Sequence, residues 1–170
     1  VGKNTLLIIP GKGSFFFLGE LIVNLDLDYD KPVRQNCGAC QRCIDACPTM
    51  AIERPHFLNA TKCISYQTIE NRGEIDKNII PKLSNNIYGC DICQLVCPWN
   101  KHAKPHNNEE FAPSEEFLAL DAKAISDMTQ EQYSSVFKKS AIKRAKFSGL
   151  QRNFEAWSQW KEGDKNKGNE

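Results

Sequence analysis

The sequence has no apolar run approaching the roughly 18 residues of a membrane helix. Its greasiest stretch, Phe15-Phe16-Phe17-Leu18, is broken by Gly19 and Glu20. The first residues also lack the basic start and long apolar core of an export signal, so a cytoplasmic protein with no membrane association is expected. Charge imbalance is missing too: the net charge is +1 over 170 residues, which gives the whole chain no polyanion-binding signature. Histidine is scarce, and His56, His102 and His106 show no metal-pair spacing, so surface positions are expected for them. Cysteine is absent before residue 37 and after residue 97, yet eight cysteines lie between. A secreted disulfide scaffold scatters its cysteines among the loops of a smaller chain. This clustering points instead to a reducing compartment and metal ligation.

What is present is ordinary for a globular protein, with 41% hydrophobic and 25% charged residues. The chain begins at Val1, and it is expected to be a piece of a longer protein. Residues 5–9, TLLII, read as a short buried strand, and PGKG at 10–13 as a turn. Residues 15–27 read as strand or mixed structure, ending in the period-two alternation Leu25-Asp26-Leu27-Asp28. Gly2-Lys3-Asn4-Thr5 faintly resembles a phosphate loop but lacks the upstream glycine. Past Pro113 the pattern turns helical. Ser114 can cap a helix through Phe117, Leu118 and Leu120, and Thr129 with Gln132 has the form of a capping box opening a helix with Tyr133, Val136 and Phe137. A further helix is expected over 140–160 with Gly149 as an interruption, followed by a disordered tail without apolar residues at 161–170.

The chemistry lies in the cysteines. Residues 37–48 read C-x2-C-x2-C-x3-C-P, and Cys90, Cys93 and Cys97-Pro98 repeat the end of that pattern with one cysteine missing at the front. An iron–sulfur cube needs four converging thiolates. Three closely spaced cysteines wrap three of its corners, and the fourth, ahead of proline, serves the other cluster in two-cluster ferredoxins. Pro48 suits the first turn of a helix leading away from Cys47. Cys63 supplies the missing thiol. Cluster one then takes Cys37, Cys40, Cys43 and Cys97, and cluster two takes Cys63, Cys90, Cys93 and Cys47. Structural zinc, the plainer alternative, draws on separated C-x2-C pairs, often with histidine. Trp99 is expected to pack beside a cluster. Tyr66 and Tyr88 could be core residues or could line a cofactor pocket.

These residues carry a family resemblance. The blocks Cys37-Gly38-x-Cys40-x-x-Cys43-Ile44-Asp45-Ala46-Cys47-Pro48-Thr49, Cys63-Ile64-Ser65-Tyr66-x-Thr68-Ile69-Glu70 and Ile87-Tyr88-Gly89-Cys90-Asp91-x-Cys93-Gln94-Leu95-Val96-Cys97-Pro98-Trp99-Asn100 resemble epoxyqueuosine reductases. So do Gly2-Lys3-Asn4-Thr5 with Gly13-Ser14, and Ala141-Ile142-Lys143-Arg144 followed by Arg152-Asn153. The resemblance implies a cobalamin-dependent oxidoreductase that converts epoxyqueuosine to queuosine at the wobble position of tRNA. Two [4Fe-4S] clusters would deliver electrons to the cobalamin. It implies an α+β chain in four parts: residues 1–34 as a strand-rich segment of a cobalamin-binding domain, 35–106 as a ferredoxin-like two-cluster domain, 107–160 as a helical extension, and 161–170 as a tail. Cobalamin contacts fall on Gly2, Asn4, Ser65 and Asp91. The family's catalytic acid matches no residue of this chain, which is expected to be inactive alone and monomeric, with a cellular electron donor as partner.

The rival readings are a reductive-dehalogenase-like cobalamin enzyme and a non-catalytic ferredoxin-type carrier. Lys138, Lys139, Lys143, Arg144, Lys146 and Arg152 lie in a window with no acidic residue. That window favours a tRNA partner over a small halogenated compound, and a simple carrier needs neither the residues before Cys37 nor those after Trp99.

Overall fold

The computed structural model describes residues 1–32 and 37–167, with side chains described as far as residue 163. The expected boundary at 34/35 and the last three residues of the expected tail lie outside the described residues. The elements in chain order are α1 (Arg42–Asp45), the hairpin strands β1 (Ile52–Arg54) and β2 (Phe57–Leu58), and α2 (Ile64–Ile69). They continue as α3 (Ile92–Leu95), α4 (Glu115–Leu118), α5 (Ala122–Ser126), α6 (Gln130–Val136) and α7 (Lys146–Lys167). Short 3-10 helices link them, among them Pro98–His102 and Ala141–Ala145. The two strands pair antiparallel, Ile52 with Leu58 and Arg54 with Phe57, across a turn in which His56 has φ 62°. No helix among the described residues is long and apolar enough to cross a membrane.

The core has two parts, and α7 closes both. Ile64 of α2 packs with Ile75, Ile79 and Leu83 against Ala156, with Cys90 and Trp160 at the margin. Met128, Tyr133 and Phe137 pack against Leu150, with Leu120 and Phe147 alongside. Leu150, Asn153, Ala156, Trp157 and Trp160 recur at helical spacing, so one stripe of α7 spans both clusters. The caps expected from sequence are present. The Ser114 hydroxyl accepts from the Phe117 amide, and Thr129 and Gln132 form a reciprocal capping box. The structure adds a helix beyond those expected, α5, capped by Asp121 through the Ala124 amide at 2.7 Å.

Four expectations are corrected. Residues 1–32 form no strand, only an isolated bridge between Ile9 and Gly13. An apolar run becomes a strand only where a neighbouring ladder takes its amides. Here residues 2–6 curl into a turn, with the Gly2 amide on the Leu6 carbonyl at 2.8 Å, while Ile22 and Tyr29 lie exposed. Pro48 opens a turn, not a helix, closed by the Met50 amide on the Cys47 carbonyl at 3.0 Å. Gly149 does not interrupt its helix. The break comes before it, at Lys146 with φ 64°, and Gly149 sits in α7 against the Ala145 methyl. Finally, α7 continues to Lys167, into the stretch expected to be disordered. Lys161, Glu162, Lys165 and Lys167 carry little penalty in a helix already nucleated by packing upstream, and that nucleus carries the poorer formers Gly163, Asp164 and Asn166 with it.

Candidate metal centre

The two cysteine motifs fold as echoes of each other. α1 carries Cys43 and α3 carries Cys93, each at the second helical position. Each helix ends one turn later, with the Ala46 amide on Arg42 and the Val96 amide on Ile92. Cys47 and Cys97 follow just past the helix ends. Their carbonyls accept from the Met50 and Asn100 amides, both at 3.0 Å. Gly38 and Gly89 supply positive φ angles, 51° and 74°, where the chain turns ahead of Cys40 and Cys90. Cys63 caps the start of α2, accepting the Gln67 amide at 2.9 Å.

Cys97, from the second motif, lines the same cavity of about 220 Å³ as Cys37, Cys40 and Cys43 of the first. Lys3, Asn4, Ile8, Pro98 and Trp99 complete that wall, which places Trp99 beside four thiols. Of the remaining four, Cys90 and Cys93 sense the charges of neighbouring cysteines. Burial first, then Cys63 and Cys47, push the Cys90 thiol up against the lowering effect of the Ile92 amide. Burial, then Cys90, Cys63, Cys43 and Cys47, push Cys93 to about 12. Cys43 is raised by burial and by Cys37 and Cys97, partly offset by its own and the Ile44 amide. Cys47 goes the other way. Burial raises it, but the Thr49 hydroxyl and the Ala51, Ile52 and Thr49 amides outweigh that, with Ala51 donating at 3.3 Å. Amides aimed at a sulfur are what a thiolate bound to a metal core requires.

All eight cysteines are free thiols and partly buried. Among the described residues no three His, Cys, Asp or Glu side chains stand close enough to hold one metal ion. Four thiolates round one zinc at ~2.3 Å would lie about 4 Å apart. Half-buried cysteines that push one another's thiols up need a cationic core to be held together as thiolates. The donor set therefore fits iron–sulfur clusters.

The other expected site residues are dispersed. Asn4 lines the cavity, but its Nδ2 donates to the Cys93 carbonyl at 3.4 Å and its Oδ1 accepts the Leu6 amide. Gly2 is buried so closely that a Cβ would meet Ile8 and the Asn4 side chain. Ser65 lies on α2, and Asp91 precedes α3, accepting from Gln94 at 2.8 Å. Gly2, Ser65 and Asp91 do not line the four-cysteine cavity. Tyr66 is partly exposed, and Tyr88 donates to the Ala141 carbonyl at 2.6 Å, tying the motif to the C-terminal region. All three histidines are exposed.

The basic window divides. Arg144 is paired with Glu70, and Arg152 donates to the Asn71 and Gln67 carbonyls at 2.7 and 2.9 Å, its charge disfavoured by burial. Lys138, Lys139, Lys143 and Lys146 are exposed. Sequence reasoning missed the fold-building role of Arg152-Asn153. The signal was available, a polar residue at 153 inside an otherwise apolar helical stripe.

Residues 36–100 match the 4Fe-4S double cluster binding domain family. Over 155 residues the chain is 47% identical to the epoxyqueuosine reductase of Cellulophaga algicola, covering 91% of itself and 51% of that protein. Against the Escherichia coli K12 epoxyqueuosine reductase it is 43% identical, covering 84% of itself and 38% of the other. The solved Bacillus subtilis epoxyqueuosine reductase superposes with a TM-score of 0.86 at 33% identity, over 93% of this chain and 42% of that one. A solved epoxyqueuosine reductase with an epoxyqueuosine-modified tRNA-Tyr stem loop superposes at 0.85 with 33% identity, with the same 93% and 42% coverage. The chain thus spans about half the length of the relatives it matches, 48% to 51% of the first three. In that shared half the chain is similar to epoxyqueuosine reductases in both sequence and fold.

Proposed function

We propose that this chain is the electron-relay part of an epoxyqueuosine reductase, acting on the epoxide of a modified wobble base in tRNA. Cluster one is held by Cys37, Cys40, Cys43 and Cys97, and cluster two by Cys63, Cys90, Cys93 and Cys47. The observation that carries this reading is the place of Cys97 in the wall formed by the first three cysteines of the other motif. That is the crossover a two-cluster ferredoxin makes. When bound, the clusters supply one-electron relay and cobalamin a reducible cobalt centre.

The protein's own share is positioning. The amides on Cys47 and Cys43 stabilise thiolate there. Trp99 shields cluster one from water. Of the residues expected to meet cobalamin, Ser65 and Asp91 keep polar side chains accessible to a corrin's amide rim, whereas Gly2 and Asn4 are packed into the fold and contribute through backbone shape. Lys138, Lys139, Lys143 and Lys146 are the phosphate contacts for tRNA, a reading supported by the solved relative with its tRNA stem loop.

The test is to assay the full-length protein, loaded with iron, sulfide and cobalamin and supplied with a strong reductant, on tRNA carrying the epoxide. Conversion to queuosine is expected. A protein that holds both clusters and cobalamin yet leaves the epoxide intact would end this reading.

A further inference from the structure

The phosphate-loop-like turn has a different occupation. Lys3 Nζ donates to the Gly38 carbonyl at 2.8 Å and to the Cys40 carbonyl at 2.9 Å. Two of the three donors of the ammonium are thereby committed to the loop that presents the first cysteines. Lys3 is half-buried and lines the cavity of Cys37, Cys40, Cys43 and Cys97. Among the described residues it has no carboxylate partner. Among the described residues, the ionisable groups that share that wall with it are the four cysteine thiols.

This lysine is not a loose surface side chain. The His56 amide donates to the Lys3 carbonyl at 3.1 Å, and the His56 ring pairs with the Gly2 carbonyl at 3.0 Å. The Thr5 amide closes on Gly2 at 2.9 Å with Thr5 at φ 67°, and Gly2 has no room for a Cβ. The turn is fixed on both sides, so the polypeptide itself sets the place of the ammonium.

We infer that Lys3 is a positioning residue for the cluster held by Cys37, Cys40, Cys43 and Cys97, fixing its loop and raising its reduction potential, with no comparable hold on the second cluster. This rests on the two-cluster reading above. Four thiolates on a core of about +2 leave each oxidised group near −2, and reduction adds a further negative charge. A fixed cation in a partly dehydrated wall favours the more negative form, because its attraction is poorly screened there. The two clusters are then inequivalent, and an incoming electron settles first on the one beside Lys3.

The experiment is a dithionite titration of both clusters, followed by EPR, in the full-length protein and its Lys3→Gln and Lys3→Arg variants, with iron counted in each. In Lys3→Gln the cluster of Cys37, Cys40, Cys43 and Cys97 is expected to shift about tenfold toward its oxidised form, roughly 59 mV for one electron, while the other stays, and Lys3→Arg restores the wild-type value. Selective loss of one cluster in Lys3→Gln, rescued in Lys3→Arg, would equally support the inference. Unchanged potentials, or equal effects on both clusters, would overturn it. Wild-type protein lacking two clusters would instead defeat the underlying reading, so the two failures are distinct.

Discussion

The Asn153 side-chain amide donates to the Thr68 carbonyl at 2.7 Å, and both residues are wholly buried, at 0% exposure. The Thr68 hydroxyl in turn donates to the Ile64 carbonyl at 2.8 Å and accepts the Gly89 amide at 2.9 Å. One chain of hydrogen bonds thus runs from α7 through α2 to the residue before Cys90. The helical region after the cysteines is a brace for the metal-binding half.

Replacing Asn153 with leucine keeps a branched side chain of four heavy atoms and removes both the donor to Thr68 and the acceptor for Arg152. The Thr68 carbonyl is then left unpaired in a dry interior, a loss of about 1–3 kcal/mol. Asn153→Leu should therefore melt several degrees below wild type, at roughly 2–4 °C per kcal/mol for a chain of this size. An unchanged melting temperature would mean that the bond adds nothing to the brace.

The cysteine crossover can be read from pairs of substitutions. If Cys40 and Cys97 serve the same cluster, the double variant Cys40→Ala/Cys97→Ala loses no more iron than either single one, about half. Cys40→Ala/Cys47→Ala removes a ligand from each cluster and should lose nearly all. Iron analysis and EPR distinguish the outcomes. The reverse order would assign each C-P cysteine to its own motif.

Lysines and arginines of the basic window should part company. Lys143→Glu and Lys146→Glu in the full-length protein should weaken tRNA binding and flatten its salt dependence, by a little under one unit of slope for each phosphate that is no longer neutralised. Arg152→Ala should lower thermal stability instead and leave the salt slope alone, since its guanidinium is spent on the Gln67, Asn71 and Gly73 carbonyls. Salt-dependent binding and melting curves separate the two effects.

The cysteines and the caps are legible in the sequence because their chemistry is local. Spacing sets which thiols can wrap a core, and Thr129 bonds the amide three residues on whatever surrounds it. The hidden parts depend on neighbours distant in the chain. Arg152 looks like one more cation in a basic window, and only the fold shows it beside Gln67 and Asn71. Lys3 looks like part of a phosphate loop until the Gly38 and Cys40 carbonyls come within reach. Residues 5–9 mislead for a related reason, because alternation and apolarity signal a strand only where a sheet is there to receive it.

Acid should erase the Glu70–Arg144 pair. The Arg144 guanidinium beside Glu70 holds its carboxyl below the ordinary range. A depressed carboxylate adds stability above its unfolded pKa, near 4.3, and loses it as pH falls through the lower folded value. Wild type should therefore melt above Glu70→Gln at neutral pH, with the gap closing below about pH 4. The pair is exposed, so the gap should be small and shrink with added salt. A gap that persists in acid would place the effect elsewhere.

Gly13 and Gly11 make a matched pair for testing how the N-terminal turn is anchored. Both have positive φ, 92° and 74°, so alanine at either position carries a backbone penalty of about 1–2 kcal/mol. Around Gly11 there is open space, whereas a Cβ on Gly13 would run into the Asn100 side chain. That side chain is fully committed: its Oδ1 accepts the Ser14 amide at 2.6 Å, and its Nδ2 donates to the Ser14 hydroxyl and the Gln94 carbonyl at 2.9 and 2.7 Å. Asn100 cannot step aside without breaking the tie between the N-terminal turn and the 3-10 helix that follows Cys97. Gly13→Ala should therefore cost clearly more stability than Gly11→Ala and speed iron loss from the cluster that includes Cys97, while Gly11→Ala leaves iron retention unchanged. Equal melting temperatures for the two variants would show that Asn100 relaxes freely and that the turn is held by other contacts.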